Sequence, residues 1–368
     1  MYTNSTKTDR VLRPITFDDY IGQATMKEQA MIKINKYRKT GDMFGHILLL
    51  GFAGAGKTTL AKVIANTMGV AYVEKSATSI SNWKEMISLL ISLEDGAVIF
   101  IDEIHNLKSE IQQNLLITLE DGEYDMVNPY TKRSMRKKLP KFTLIGATTH
   151  VGQLNMPFVE RFAWKPTLAP YTYAELTEIL TRACKRIYEI DMPKEIASRM
   201  SRLCQWTPRR AISLLNNYMD MVEGCTPDKV MPRDMTMPLL ERTLRGLEVD
   251  PMLGMDRPTR QYINTLLTAE GKPLGLRALS SMTRLEQSTI EYMIEPFLTF
   301  PDLELPVSQK EEDGEWVTIM NVGPMVKITR LGRVPTKAAV DYVRMCKLAQ
   351  STQGWFPGER FAEIDEDI

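Results

Sequence analysis

Cysteine is scarce in this chain of 368 residues. There are four, Cys184, Cys204, Cys225 and Cys346, and no two of them form a C-x-x-C pair. Neither a zinc site nor a disulfide framework is suggested; the reading is reduced, buried thiols of a cytoplasmic protein. Net charge is missing too: 46 Lys and Arg balance 46 Asp and Glu. Whole-molecule attraction to nucleic acid is therefore not implied, and any such contact has to come from local basic patches. No apolar run approaches the roughly 18 residues that a membrane span needs. The opening Met1-Tyr2-Thr3-Asn4-Ser5 is too polar for a secretory leader, and no internal repeat is visible. What is present is ordinary for a soluble globular chain, 43% hydrophobic and 25% charged. The length suits two or three domains at about 150 residues each.

The run Gly51-Phe52-Ala53-Gly54-Ala55-Gly56-Lys57-Thr58 fits G-x-x-x-x-G-K-[ST], a phosphate-cradling loop. An apolar strand, His46 to Leu50, precedes it, and Leu60, Val63, Ile64 and Met68 follow at helical spacing. A triphosphate needs unhindered backbone N–H groups, hence glycines, and the positive end of a helix, here beginning near Gly56. Lys57 is expected to reach the β- and γ-phosphates, Thr58 to hold Mg²⁺, and Gly54, Ala55, Gly56 and Thr59 to line the cradle. The alternative, a Gly-rich turn with a chance Lys-Thr, has to ignore the strand and helix on either side.

Residues 1–168 alternate strands and helices, with further strands expected at Val70–Val73, Ala97–Ile101 and Phe142–Gly146. That alternation implies an α/β domain, a parallel sheet covered by helices. Residues 169–247 turn helical, marked by Leu176, Ile179, Leu180 and Ala183, then by Ala211, Leu214, Leu215 and Tyr218. A turn-rich link from Gly246 to Pro258 leads to a module over 248–348 with the order of a winged helix, helices and then strands. Residues 309–315 read as an acidic, solvated hairpin tip. The acidic stretch 349–368 is expected to be a tail, disordered from Glu359 onward.

A second motif supplies acids. Val98 to Ile101 is an apolar strand ending in Asp102-Glu103. Behind a phosphate loop, Asp102 is expected to order Mg²⁺ and Glu103 to activate the attacking water. Read alone, the pair is the polar end of a buried strand. His105 reads as a structural or signalling residue rather than a general base. At the end of the fourth strand a hydroxyl can sense the γ-phosphate, with Thr148 ahead of Thr149. Arg161 can stabilise transferring phosphate charge from a neighbouring subunit, and Arg209, opening a helix after Thr207-Pro208, can reach the nucleotide from a helical lid. By themselves both read as surface arginines.

These motifs resemble those of the RuvB family, AAA+ motors that drive branch migration of Holliday junctions in bacteria. The likeness runs from about Leu12 to Met345. It includes Arg13-Pro14, Asp19-Tyr20-Ile21-Gly22-Gln23, Gly56 to Ala61, Phe100 to His105 and Phe142 to Thr149. It also takes in Thr207-Pro208-Arg209, Thr289-Ile290-Glu291, Glu295-Pro296-Phe297-Leu298 and Gly332-Arg333-Val334-Pro335-Thr336. The resemblance implies an AAA+ P-loop core, a helical lid and a C-terminal winged helix, working with ATP and Mg²⁺. It implies that Leu12, Arg13, Tyr20 and Ile21 hold the adenine side and that Glu120, Asp121 and Gly122 approach the nucleotide. It further implies that Tyr171 lies against the nucleotide, that Arg161 acts as a finger in trans and that Arg209 is the lid sensor. A hexameric ring around duplex DNA or a four-way junction is expected, in the cytoplasm, or a host's cytoplasm for a phage-encoded relative. Lys327, Arg330 and Arg333 flank the second wing strand, where cations neutralise phosphates without reading bases; Arg333 falls at a family DNA-contact position.

Departures accompany the likeness. The segment between Asp125 and Ser134, which in the family is a hairpin gripping RuvA through an apolar tip, is shorter and more polar here. Lys132, Arg133, Arg136, Lys137, Lys138 and Lys141 follow with no acid among them, which suits DNA or an acidic partner as well as it suits a solvated loop. Val159 replaces the first of two arginines often found before the Phe at Phe162. Trp206 stands where the family has a small Gly. The wing carries an insertion over about 301–325. Two other readings use the same parts: a clamp-loader-like ATPase of DNA replication, and a winged-helix DNA-binding protein switched by nucleotide.

Overall fold

The computed structural model describes residues 13–41, 44–127, 134–227, 229–301, 304–309, 316–321 and 323–362. The chain falls into two compact units, Met1–Tyr171 and Thr172–Ile368.

The first unit is built from α1 (Ala24–Thr40), β1 (Ile47–Leu50), α2 (Lys57–Met68), β2 (Tyr72–Ser76), α3 (Trp83–Ile91), β3 (Ala97–Asp102) and α4 (Ser109–Asp121). Then come β4 (Glu123–Val127), β5 (Ser134–Lys138), β6 (Phe142–Thr148) and α5 (Met156–Glu160). Four strands form a parallel sheet in the order β1-β6-β3-β2. The strands are apolar throughout because both faces are covered. Leu48, Ile99, Ile101 and Leu144 pack with Ile111, Phe158 and Phe162 on one face. Their pleat neighbours Ile47, Leu49, Val98, Phe100 and Ile145 pack with Leu60 and Ile64 of α2 on the other. Strand boundaries shift from the sequence expectation: the second strand lies at Tyr72–Ser76, and the fourth runs on to Thr148.

Beyond β1, residues 164–168 run as a further sheet edge. The Leu48 amide donates to the Trp164 carbonyl, the Leu50 amide to Pro166, and the Leu168 amide to Leu50, each at 2.9 Å. Pro166 has no N–H, yet this position needs only its carbonyl. The register Leu50↔Thr148 and Ile101↔Gly146 brings the carboxyl ends of β1, β3 and β6 to one edge, where ligands of open α/β sheets bind. β4 and β5 form a separate antiparallel hairpin. Arg136, Lys137, Lys138 and Lys141 are exposed on or just after it, while Lys132 and Arg133 lie outside the described residues.

The second unit opens with α6 (Tyr173–Tyr188), α7 (Lys194–Arg202), α8 (Pro208–Cys225) and α9 (Met237–Gly246). A capping box of Thr172 and Glu175 starts α6. The link that follows is wound around one side chain. Asp250, fully buried, accepts the amides of Met252, Leu253 and Met255 at 2.8, 2.7 and 2.5 Å. Next are α10 (Arg257–Leu267), α11 (Leu276–Thr283), α12 (Gln287–Thr289), a π turn (Ile290–Ile294) and α13 (Glu295–Leu298). Pro296 has no amide to give Tyr292, and the helix widens into the π turn just before it. The expected wing insertion contains an antiparallel hairpin, β7 (Glu304–Gln309) with β8 (Trp316–Asn321); its acidic tip lies outside the described residues. β9 (Val326–Thr329) and β10 (Gly332–Pro335) form the second wing, and α14 (Lys337–Gln353) follows.

The expectation of a disordered tail from Glu359 is corrected over 359–362. Helix α14 runs through residue 349 to Gln353, and the chain then folds back. Trp355 and Phe356 are 5% exposed. The Gln350 side chain donates to the Phe356 and Glu359 carbonyls at 2.8 and 3.0 Å. Glu359 takes a two-pronged ion pair from Arg260, with Nε to Oε2 at 3.0 Å and Nη2 to Oε1. Arg245 and Arg260 stack on Trp355 and Phe356. The acidic residue is held because a buried guanidinium, 99 positions away in sequence, needs it. Residues 363–368 lie outside the described residues.

Candidate active site

The loop after β1 takes its shape from three glycines with positive φ, Gly51 at 139°, Gly54 at 82° and Gly56 at 97°. Lys57 opens α2 and is buried, its ammonium donating to the carbonyls of Gly51 and Phe52 at 2.7 and 3.1 Å. Thr58 and Thr59 follow in the first turn, where free amides and the helix dipole favour an anion.

Two tyrosines close over this loop. A Cβ placed on Gly56 would lie 2.9 Å from the Tyr20 hydroxyl and 3.4 Å from that of Tyr171. The Tyr171 hydroxyl donates to Tyr20 at 3.2 Å, and both rings are buried. Burial is the first cause holding the Tyr20 hydroxyl well above its ordinary pKa, and Tyr171 adds to it. The turn that aims Tyr20 is clamped from behind. Gln23, itself left-handed at φ 53°, donates to the Ala169 carbonyl at 2.7 Å and accepts the Ala169 amide at 3.0 Å. This explains on physical grounds why Tyr20-Ile21-Gly22-Gln23 belongs to the motif, a role the sequence reading had not given to Gln23. Ile21 is half-buried in the same turn. Arg13 lies near enough to Tyr72 to act on its hydroxyl electrostatically, and Leu12 lies outside the described residues.

At the ends of β3 and β6 the acids and hydroxyls meet. Glu103 sits in the left-handed region at φ 48°, a strained setting for a non-glycine residue, and its amide donates to Asp102 Oδ1 at 3.1 Å. Its Oε2 accepts the Thr149 amide at 3.3 Å and the Thr149 hydroxyl at 3.2 Å. Thr148, expected to lead, is buried at 1% exposure and pairs instead with His105 Nδ1 at 2.9 Å and the His150 amide at 2.9 Å. Thr149 is therefore the hydroxyl that touches the acid, because alternation along β6 turns the neighbouring side chain inward. His105 Nδ1 lies 3.2 Å from Glu103 Oε2. Burial chiefly lowers the His105 pKa, Lys57 pushes the same way, and Glu103 and Asp102 oppose.

Arg161 caps α5 and is exposed. It pairs with Glu120 at 2.7 Å, so the finger candidate and the segment Glu120-Asp121-Gly122 share one surface patch. Arg209, exposed, stands in the first turn of α8, where the Thr207 hydroxyl caps the Arg210 amide at 3.3 Å. Trp206 just before it is left-handed at φ 55° and buried against Phe297 and Phe300, ring centroids 5.1 and 4.5 Å away. On the second wing Lys327 and Arg330 are exposed. Arg333 is not turned to solvent as a phosphate contact requires. Its guanidinium forks onto Glu295 at 2.8 and 3.2 Å and lies 3.6 Å from Glu291.

Comparison with known proteins agrees with this geometry. The Holliday junction DNA helicase RuvB P-loop domain matches residues 12–168, and the RuvB C-terminal winged helix domain matches residues 252–303. The chain is 35% identical to the RuvB subunit of the Holliday junction branch migration complex of Campylobacter curvus, over 78% of this chain and 83% of that protein. The chain belongs to the RuvB family. The Pseudothermotoga lettingae RuvB subunit is 36% identical over 78% of this chain and 82% of its own length. The solved structure of the Thermotoga maritima RuvB Holliday junction branch migration motor superposes with a TM-score of 0.74 at 28% identity, covering 91% of this chain and 98% of that one. The fold is AAA+, with a P-loop ATPase core and a C-terminal winged helix, and the chain is an ATP hydrolase of the RuvB type. Among the described residues, no helix is long and apolar enough to cross a membrane.

Proposed function

We propose that this ATPase is a branch-migration motor that works on duplex or four-way-junction DNA as a ring, hydrolysing ATP at the seams between copies. The observation that carries the reading is a division of parts within the first unit. The phosphate loop, the Tyr20–Tyr171 closure and the Glu103–Thr149 pair gather at one sheet edge, while Arg161 stays exposed against Glu120.

The residues fit the roles asked of them. The amides of Gly54 to Thr59 and the Lys57 ammonium are suited to the β- and γ-phosphates, and a side chain at Gly56 would run into the Tyr20 hydroxyl that closes over the loop. Thr58 and Asp102 offer the hard oxygen donors that Mg²⁺ takes. The ion, once held there, neutralises charge that develops on the phosphates. Glu103 takes the proton of the water that attacks the γ-phosphorus as the bond to the ADP oxygen breaks. Thr149 fixes Glu103 Oε2, so the base is placed before the nucleotide arrives. Arg161, leaving Glu120, meets the neighbour's leaving phosphate, and Arg209 reports the nucleotide to the lid. Lys327 and Arg330 touch DNA phosphates, which suits translocation on any sequence.

The test is branch migration of a synthetic four-way junction, with particle images in an ATP analogue and duplex DNA. A closed ring threaded by DNA and ATP-dependent strand separation are expected. Arg161→Ala should lower turnover by about 10³-fold while ATP still binds. Full activity in Arg161→Ala, or a lone particle that hydrolyses ATP at full speed, would overturn the reading.

A further inference from the structure

The chain holds only three histidines, and two of them stand beside the catalytic acid. Glu103, His105 and His150 can each offer one donor atom such that all three lie within 4.8 Å of one another. The His105 and His150 rings are 4.6 Å apart, and His105 Nδ1 is 3.2 Å from Glu103 Oε2. We propose that these three residues form a binding site for a zinc-class divalent cation, and that filling it stops ATP turnover while leaving nucleotide binding in place.

The donor set and its spacing argue for this. Two imidazoles and one carboxylate are a recurrent zinc ligand set, with a fourth position open to water. Two donors each about 2.1 Å from a tetrahedral ion stand roughly 3.4 Å apart, which the Glu103–His105 spacing nearly meets. His150 then has to close by about 1.4 Å at most, and its half-buried ring lies on the loop after β6 rather than in the core. The β3 and β6 ends bring the ligands together from two sides through hydroxyls that the ion has to displace: Thr148 bonds His105 Nδ1, and Thr149 bonds Glu103 Oε2 and His150 Nδ1. The Mg²⁺ of the nucleotide does not compete, because it takes oxygen donors and avoids imidazole. An ion on Glu103 Oε2 draws charge from the whole carboxylate, which then no longer serves as the base for the attacking water. The loop, Lys57 and the two tyrosines are untouched, so nucleotide still binds.

Zinc binding is read on the full chain in a Cys225→Ser background, which removes the exposed thiol, by competition with a chromogenic zinc chelator. One equivalent should bind, and His105→Ala and His150→Ala should each weaken it by about 100-fold. Fluorescent-nucleotide binding checks that each variant is folded, and His150→Gln serves if His150→Ala is not. Equal zinc affinity in folded variants and parent would overturn the site. In saturating Mg²⁺ and ATP, zinc should stop turnover by the parent and a zinc-selective chelator should restore it. His150→Ala, compared with its own zinc-free rate, should need about 100-fold more zinc. Equal sensitivity would overturn the inhibitory role. The inhibition rests on the ATPase reading, but the binding titration does not, so the two fail separately.

Discussion

At the scale of single residues, Glu103 is prepared for its task by strain and by one hydroxyl. Glu103→Gln should bind ATP normally and turn it over on the order of 10³-fold more slowly, which single-turnover phosphate release would measure. Thr149→Val removes the hydroxyl bond to Glu103 Oε2 but keeps the amide bond, so a smaller fall of about tenfold is expected in the same assay. Thr148→Val should act differently, by releasing His105. The local parts of this site were legible in the sequence because spacing alone carries them: a glycine loop between a strand and a helix, and a strand that ends in two acids. Which of two adjacent threonines meets the acid was not legible, since it depends on the phase of the pleat at the end of β6. The Tyr20–Tyr171 contact was beyond local reading as well. It joins positions 151 residues apart through a turn that Gln23 locks from the far side.

At the scale of elements, the sheet and the wing each make a separable prediction. His46 leads into β1, and its Nδ1 accepts the Leu144 amide of β6 at 3.0 Å. Burial lowers its pKa from 6.5 to about 4, with a backbone contact at Leu119 opposing. Between those values the unfolded chain binds the proton and the folded one does not, so stability falls as pH drops from 6.5 towards 4. The loss reaches about 3 kcal/mol. Urea midpoints of the parent should fall across that window, and those of His46→Asn should be flatter. In the wing, Lys327→Ala and Arg330→Ala should each reduce the salt dependence of duplex binding by about 0.9 in slope with the fold intact. Arg333→Ala should instead lower the melting temperature, because Glu295, 3% exposed, is left as a buried charge at a cost of about 3–5 kcal/mol. The four strands of the sheet were readable as apolar runs. The edge at 164–168 was not, because Trp-Lys-Pro-Thr-Leu has no strand signature and is held by its neighbour's hydrogen bonds.

At the scale of the whole molecule, the lid helices and the winged helix belong to one compact unit, and Trp206 is one of the pins between them. A left-handed backbone there suits glycine, at about 1 kcal/mol of relief. The ring packed on Phe297 and Phe300 offsets that, since removing a buried Trp costs about 3–5 kcal/mol. The expected order of stability by thermal melt is therefore parent, then Trp206→Gly, then Trp206→Ala. Sequence alone showed the substitution but not its compensation, because Phe297 and Phe300 lie about 90 positions downstream. The carboxyl end misled for the same reason: an acidic stretch looks solvated until its distant arginine is seen. Anyone shortening this polypeptide for crystallisation, or swapping its terminus for a purification handle, inherits that arrangement. A cut at residue 348 would sever a helix in mid-turn and take away the carboxylate that the guanidinium of Arg260 forks onto, whereas a handle grafted behind Ala362 would spare it.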